Sequence, residues 1–354
     1  MIDLDNVAAI RAADPDDMLA RIRDLGDQCR TAWQNAAGLR LPDDYRRNTT
    51  AMLVLGMGGS AIGGDLMRSL ASQHSPHPIL VNRGYEVPAW VGPRTLVVAS
   101  SHSGNTEETL AAAEAAHTRG ARLVAITTGG ELARRARAWG IPLLTYQYAA
   151  QPRAVIGHSL VNMVALAEQL GWLPPMGPAV AEAAAVVEAI RSELDVDVPA
   201  ERNPAKQLAG ALAGRLPVIY GAGLLEEVAR RWKGQLNENS KAWAFFEALP
   251  EANHNGIVGY EHPAALSRLV TVIFLQAAAD HPRVQIRQRV TKAVLDQRGV
   301  RHATIEARGA SPLAQVLSVL TTGDWVSYYL ALLNGADPTP VAAIDYLKAE
   351  LART

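Results

Sequence analysis

Five short apolar runs follow one another between residues 51 and 145, set apart by stretches of helical length: Ala51–Gly56, Pro78–Asn82, Thr95–Ser100, Arg122–Thr127 and Ile141–Thr145. Runs of Val, Ile and Leu without polar alternation belong to strands buried on both faces, and such strands form parallel sheets covered by helices. A second series comprises Leu216–Gly221, Lys241–Glu247, Leu269–Leu275 and Val300–Glu306. The expected fold is α/β, with two doubly wound units of mainly parallel sheet flanked by helices.

Other features divide the chain. Met18, Ile22, Leu25 and Cys29 fall at helical spacing among Arg and Asp, which predicts a charged amphipathic helix over 15–39. Gly171-Trp172-Leu173-Pro174-Pro175-Met176-Gly177-Pro178 carries three prolines that cannot continue a helix, so a hinge or connector is expected there, with a helix near 179–194 after it. The expected division is an N-terminal helical segment (1–47), a first unit (48–172) and a second unit with a C-terminal helix (173–354). The two series open alike, with Leu53-Val54-Leu55-Gly56-Met57-Gly58 and Val218-Ile219-Tyr220-Gly221-Ala222-Gly223 each running from an apolar strand into Gly-x-Gly. This suggests a duplicated unit whose second loop lacks the Gly-Ser continuation of the first.

Composition narrows the function. Thirty-four basic against 35 acidic residues leave a net charge of −1, which argues against a nucleic-acid binder, and 49% apolar residues suffice for a proper core. The single cysteine, Cys29, can form neither an internal disulfide nor a thiolate metal site. The first residues show no basic region followed by an apolar stretch, and no uninterrupted apolar run reaches the ~20 residues of a membrane span. A soluble cytoplasmic protein is expected, with no membrane partner.

Two loops after strands carry an anion-binding pattern. Gly56-Met57-Gly58-Gly59-Ser60-Ala61-Ile62-Gly63-Gly64 combines glycines that admit close approach to backbone N–H groups with the start of a helix and the Ser60 hydroxyl. Ser100-Ser101-His102-Ser103-Gly104-Asn105-Thr106-Glu107-Glu108-Thr109 places the Ser101, Ser103 and Thr106 hydroxyls in one turn. Tight packing turns and an ordinary Ser/Thr helix cap are the plain alternatives. In a parallel sheet, however, loops at the strand C-termini meet at one edge, where two such loops make a phosphate pocket. Gly56-x-Gly58-x-x-Ala61 also meets the loose dinucleotide fingerprint, but the second strand ends Val81-Asn82-Arg83 with no acid before Glu86 to hold a ribose. NAD is therefore not expected.

Two segments cluster amides around a titratable group: Asn237-Glu238-Asn239-Ser240-Lys241 and Glu251-Ala252-Asn253-His254-Asn255. A placed carboxylate can take a proton from carbon, and a histidine can give and take one at oxygen. Arg153, in Gln151-Pro152-Arg153, follows the last strand of the first unit and can reach the same edge, while Lys348 lies on a terminal amphipathic stretch. A helix-end carboxylate, a loop histidine and an exposed lysine are the alternatives for Glu238, His254 and Lys348. No His/Cys/Asp cluster has metal-ligand spacing, so no metal is expected.

Taken together, Gly56-Met57-Gly58-Gly59-Ser60, Ser101-His102-Ser103-Gly104-Asn105-Thr106-Glu107-Glu108-Thr109, Pro152-Arg153, Asn237-Glu238-Asn239-Ser240-Lys241, Asn253-His254-Asn255 and Asp337-Pro338-Thr339-Pro340 occur in one order. This set resembles the bifunctional phosphoglucose/phosphomannose isomerases, a branch of the phosphoglucose isomerase superfamily built from two SIS (sugar isomerase) domains. The resemblance implies that Gly58, Gly59, Ser60, Ser101, Ser103 and Thr106 hold the phosphate of a hexose 6-phosphate. It implies Glu238 as the base between C1 and C2, His254 and Lys348 as the ring-opening groups, and Arg153 as the enediolate stabiliser, with no cofactor. It further implies a homodimer in which the histidine comes from the neighbouring subunit. His102 departs from the resembled family, whose members more often carry an aromatic such as Tyr there, and an effect on pocket shape more than on chemistry is expected from it. A non-catalytic SIS phosphosugar sensor is the alternative, against which the set Glu238, Arg153, His254 and Lys348 weighs.

Overall fold

The computed structural model describes residues 2–351 and 353. The first sheet contains β1 (Ala51–Leu55), β2 (Ile79–Asn82), β3 (Thr95–Ser100), β4 (Arg122–Thr127) and β5 (Leu143–Thr145), all parallel, in the order β2-β1-β3-β4-β5. The second contains β6 (Leu216–Ala222), β7 (Phe245–Leu249), β8 (Val270–Gln276) and β9 (Arg301–Glu306), again parallel, in the order β7-β6-β8-β9.

Strand residues alternate between two cores, as a pleat with period two requires. Met52, Val54, Leu96, Val98, Val124 and Ile126 face inward, where the helices Gly58–Ala71 and Ile156–Gln169 cover them. Leu53, Leu55, Val97, Ala99, Leu123 and Ala125 face outward beneath Glu107–Thr118 and Gly130–Trp139. The inner core continues into the second sheet through Ile219, Ile273 and Leu275, with the helices Glu226–Glu238 and Pro312–Leu333 between. That last helix has the length and hydropathy of a membrane span, but it is buried inside the protein.

Three local expectations are revised. The N-terminal helix is two, Met18–Arg23 and Leu25–Ala36, and it starts late because Asp17 adopts a left-handed conformation and caps Ala20. No helix joins β2 to β3, since Gly84, Pro88, Gly92 and Pro93 interrupt residues 83–94. The strand expected at Lys241–Glu247 begins only at Phe245, because Lys241 takes a left-handed φ of 51° that no strand accommodates. The proline-rich connector buries Trp172, Leu173 and Met176 in the shared core, and Pro178 sits in the first turn of Gly177–Leu194, where its missing N–H costs nothing.

Candidate active site

β1 feeds directly into Gly58–Ala71, whose N-terminus has neither a side-chain cap nor an acid in its first turn, so its orphan N–H groups remain for an anion. Gly58 is left-handed at φ 49°. Gly59 lies so close to the segment before Arg153 that a Cβ on it would meet the Pro152 carbonyl oxygen at 2.2 Å. Only glycine permits this approach.

β3 feeds the second loop. Ser101 Oγ and Thr106 Oγ1 lie 2.8 Å apart, and the Gly104 N–H donates to Ser101 Oγ at 3.1 Å. Whichever hydroxyl donates to the other, one O–H of the pair stays free for a ligand. The Asn105 N–H donates to Ser103 Oγ at 3.2 Å, leaving the exposed Ser103 O–H unspent. Thr106 stands at the N-cap of Glu107–Thr118 without capping it through its side chain, so this helix too keeps its first N–H groups.

His102 ties this loop to the chain leading to Arg153. Its Nε2 lies 3.0 Å from the Ala150 carbonyl and its Nδ1 3.0 Å from the Tyr146 hydroxyl. A carbonyl only accepts, so Nε2–H donates to Ala150, and in the neutral ring Nδ1 then accepts from Tyr146. Burial pushes the ring's pKa down, which favours the neutral form. Tyr146 stacks on His158 at 4.7 Å between ring centres, and burial followed by the neighbouring His102 lowers the His158 pKa to about 4.

Arg153 is 5% exposed and fixed on several sides. Its Nε donates to Asn239 Oδ1 at 2.6 Å, and one terminal nitrogen donates to both the Pro338 and Thr339 carbonyls at 2.7 Å. The other terminal nitrogen lies 3.4 Å from the Glu238 carboxylate. Burial presses the guanidinium pKa down, with Glu238 acting against it. Behind this contact, Asn239 Nδ2 donates to Ser327 Oγ at 3.0 Å. Arg231 donates to the Arg153 carbonyl at 3.1 Å and pairs with the buried Asp324 at 2.5 Å. Glu238 closes the helix Glu226–Glu238, and about a third of its side chain is open to solvent. A partly open carboxylate beside a fixed guanidinium can exchange a proton with a ligand whose developing negative charge the arginine neutralises.

One chain thus brings the two glycine- and hydroxyl-rich loops, Arg153 and Glu238 together. His254 is exposed in the turn after Glu251–Asn253, and Lys348 is exposed on Ala342–Leu351, a helix with no buried residue. Among the described residues neither side chain makes a hydrogen bond or ion pair. Sequence reasoning gave no role to Asn239 or to the carbonyls of Pro338 and Thr339. Asn239 stood in an amide cluster around a titratable group, but a backbone carbonyl leaves no trace in residue identity. No group of three or more His, Cys, Asp or Glu among the described residues is placed to hold a metal. Asn82, at the end of β2, donates to the Gly84 and Glu86 carbonyls and closes a turn.

Two parallel sheets with hydroxyl-lined loops at a strand edge define an SIS-type protein. Residues 47–141 match the SIS domain model, and residues 201–351 match the bacterial phospho-glucose isomerase C-terminal SIS domain. The chain is 43% identical over 304 residues, 85% of its length and 89% of the relative's, to the bifunctional phosphoglucose/phosphomannose isomerase of Caldicellulosiruptor bescii. It is 35% identical to that of Aquifex aeolicus, over 84% of this chain and 89% of the relative. Among solved structures, the C-terminal domain of glucosamine-fructose-6-phosphate aminotransferase from Francisella tularensis superposes with a TM-score of 0.73 at 14% identity, covering 91% of this chain and 98% of that one, which shows a shared fold. The chain belongs to the bifunctional phosphoglucose/phosphomannose isomerase family.

Proposed function

We propose that this protein interconverts glucose 6-phosphate and mannose 6-phosphate with fructose 6-phosphate. The observation that carries the reading is the convergence of both anion loops on residues 150–153, with the Arg153 guanidinium continuing from there to Glu238. Gly58, Gly59, Ser60, Ser101, Ser103 and Thr106 bind the phosphate, and the remote binding energy fixes the reacting carbons. His254 and Lys348 open the sugar ring. Glu238 then takes the proton from C2 of the open aldose, and the C–H electrons form a C1–C2 double bond as charge moves to O1. Arg153 stabilises the enediolate with its terminal nitrogen facing Glu238. Return of the carbon-bound proton to C1, with the hydroxyl proton passing from O2 to O1, gives the ketose. C1 is reduced as C2 is oxidised, so the conversion balances without an external redox cofactor.

The reading includes a homodimer in the cytoplasm. Trp243, Val258 and Tyr346 are 74%, 76% and 69% exposed, and they flank the segments that carry Glu238, His254 and Lys348. A second copy covering these apolar groups would bring its His254 to the site. The test assays both hexose 6-phosphates with Glu238→Gln and His254→Ala chains, alone and mixed. Each variant alone should fall by about 10²–10⁴-fold, and the verified heterodimer should regain part of the activity. A Glu238→Gln protein within a few-fold of wild type would remove the base. A heterodimer without recovery would remove the shared site.

A further inference from the structure

Asp337-Pro338-Thr339-Pro340 closes the sequence pattern without a chemical role, and the structure turns three of its consecutive carbonyls toward cations. Arg153 donates to Pro338 and Thr339 at 2.7 Å, and Lys241 Nζ donates to the Asp337 carbonyl at 2.5 Å. The same ammonium donates back to the Glu238 and Asn239 carbonyls at 2.9 and 3.3 Å, at the end of the helix that carries Glu238. Carbonyls at a helix C-terminus favour a cation. Although the residue is exposed, its charged end is held by three carbonyls.

The surroundings sharpen the point. Lys241 is one of two residues other than glycine with a positive φ among those described, at 51°. A strained backbone at that position turns the chain so that the side chain folds over the preceding helix end. Across the contact, the Asp337 carboxylate accepts from the Thr339 N–H at 2.9 Å and closes the opposing turn, while Asn334 donates to the Ser240 carbonyl at 3.0 Å. Beyond Pro340 comes the helix Ala342–Leu351, which buries no residue of its own. Within one chain, its starting point is therefore set by the buried Pro338 and Thr339 and by the ties of residues 337–339 to Arg153 and Lys241, not by packing of the helix itself.

We propose that Lys241 is a positioning residue, which with Arg153 clamps residues 337–339 and so aims the terminal helix and Lys348 at the end of the site where Glu238 stands. The role in turnover rests on the isomerase reading above, whereas the clamp itself is a structural claim that can be tested without turnover.

The experiment compares full-length wild type, Lys241→Met and Lys241→Gly. Glycine accepts the left-handed backbone without strain, so Lys241→Gly removes the ammonium while keeping the turn, and it covers the case in which Lys241→Met folds poorly. In both variants amide hydrogen exchange over residues 341–348 should rise by about 10-fold. The kcat for fructose 6-phosphate should fall by about 10-fold, while competitive inhibition by inorganic phosphate, a probe of the two loops, stays within about twofold of wild type. Unchanged exchange in Lys241→Gly would overturn the clamp, whatever the activity does. Faster exchange with unchanged kcat would overturn the positioning role, as would a kcat lost in Lys241→Met and restored in Lys241→Gly. A wild-type protein that does not isomerise hexose phosphates would defeat the isomerase reading, and the exchange data would still decide the clamp.

Discussion

The two strand–glycine–helix units differ in which end of the helix serves the site. After β1, Gly58 takes φ 49°; after β6, Gly223 takes φ 48°, so both strands leave the sheet through the same left-handed turn. The first helix has no acid in its opening turn and keeps its N-terminus for an anion. The second carries Glu226 and Glu227 there, and Glu227 pairs with Arg68 and Arg230 at 2.5 and 2.7 Å. Its N-terminal charge is thereby satisfied within the protein, and its C-terminal end presents Glu238 instead. Under the proposed function, one unit used from opposite ends supplies an anion grip on one side and a base on the other. Arg153, between them, contacts the glutamate with its side chain while its own backbone lies against the first glycine loop.

That contrast can be broken most sharply at the bridge. Arg153→Gln should lower kcat by about 10²–10³-fold, because glutamine carries no charge and leaves the Pro338 and Thr339 carbonyls without their shared donor. Steady-state kinetics checks this, and a loss below tenfold would mean that the guanidinium is not the electrophile.

Acid should weaken the first unit. His158 is neutral in the fold, with its pKa lowered from 6.5 to about 4, so its contribution is present above pH 6.5 and is lost as pH falls toward 4. Linkage puts the loss at roughly 2 kcal/mol between pH 7 and pH 5. His102, lowered by burial, acts in the same direction. The buried carboxylates Asp65 and Asp324, raised by burial, act the other way. His158→Phe is therefore the control: urea midpoints at both pH values should show a smaller acid loss in the variant than in wild type. An equal loss in the two proteins would contradict the assignment.

The paired glycines give the two smallest effects. Gly59→Ala forces a Cβ against the Pro152 carbonyl and should raise KM for fructose 6-phosphate by about 10-fold, the cost of displacing a phosphate-binding backbone. Gly223→Ala meets nothing within 4 Å, so only the left-handed φ is penalised. That substitution should cost about 1 kcal/mol of stability with kinetics unchanged. Equal kinetic damage from both substitutions would erase the distinction between the units.

Much of this organisation was legible in the chain because it rests on patterns that local chemistry imposes. Continuous apolar runs mark the central strands β1, β3, β4 and β8, since burial on both faces demands them, whereas β7 and β9 are partly exposed and carry polar residues. The glycine and hydroxyl loops stand out because only glycine admits close backbone approach and Ser and Thr supply short hydroxyl donors beside it. What stays hidden depends on groups that every residue shares or on distant partners. The Pro338 and Thr339 carbonyls that hold Arg153 are common to all sequences, and the tie from His102 to Ala150 spans 48 positions. The late start of β7 follows from a lysine in a conformation usually left to glycine, which residue identity at position 241 argues against.

The central claim is that Glu238 moves the proton between C1 and C2 of a sugar whose phosphate is gripped by the first unit. Its most direct measurement follows fructose 6-phosphate in D2O by NMR, with wild type and Glu238→Gln side by side and inorganic phosphate inhibition measured on both. The wild type should place deuterium at C2 of both glucose 6-phosphate and mannose 6-phosphate, and the variant should do so about 10³-fold more slowly with its phosphate inhibition unchanged. Deuterium entering at comparable rates in the two proteins would contradict the account.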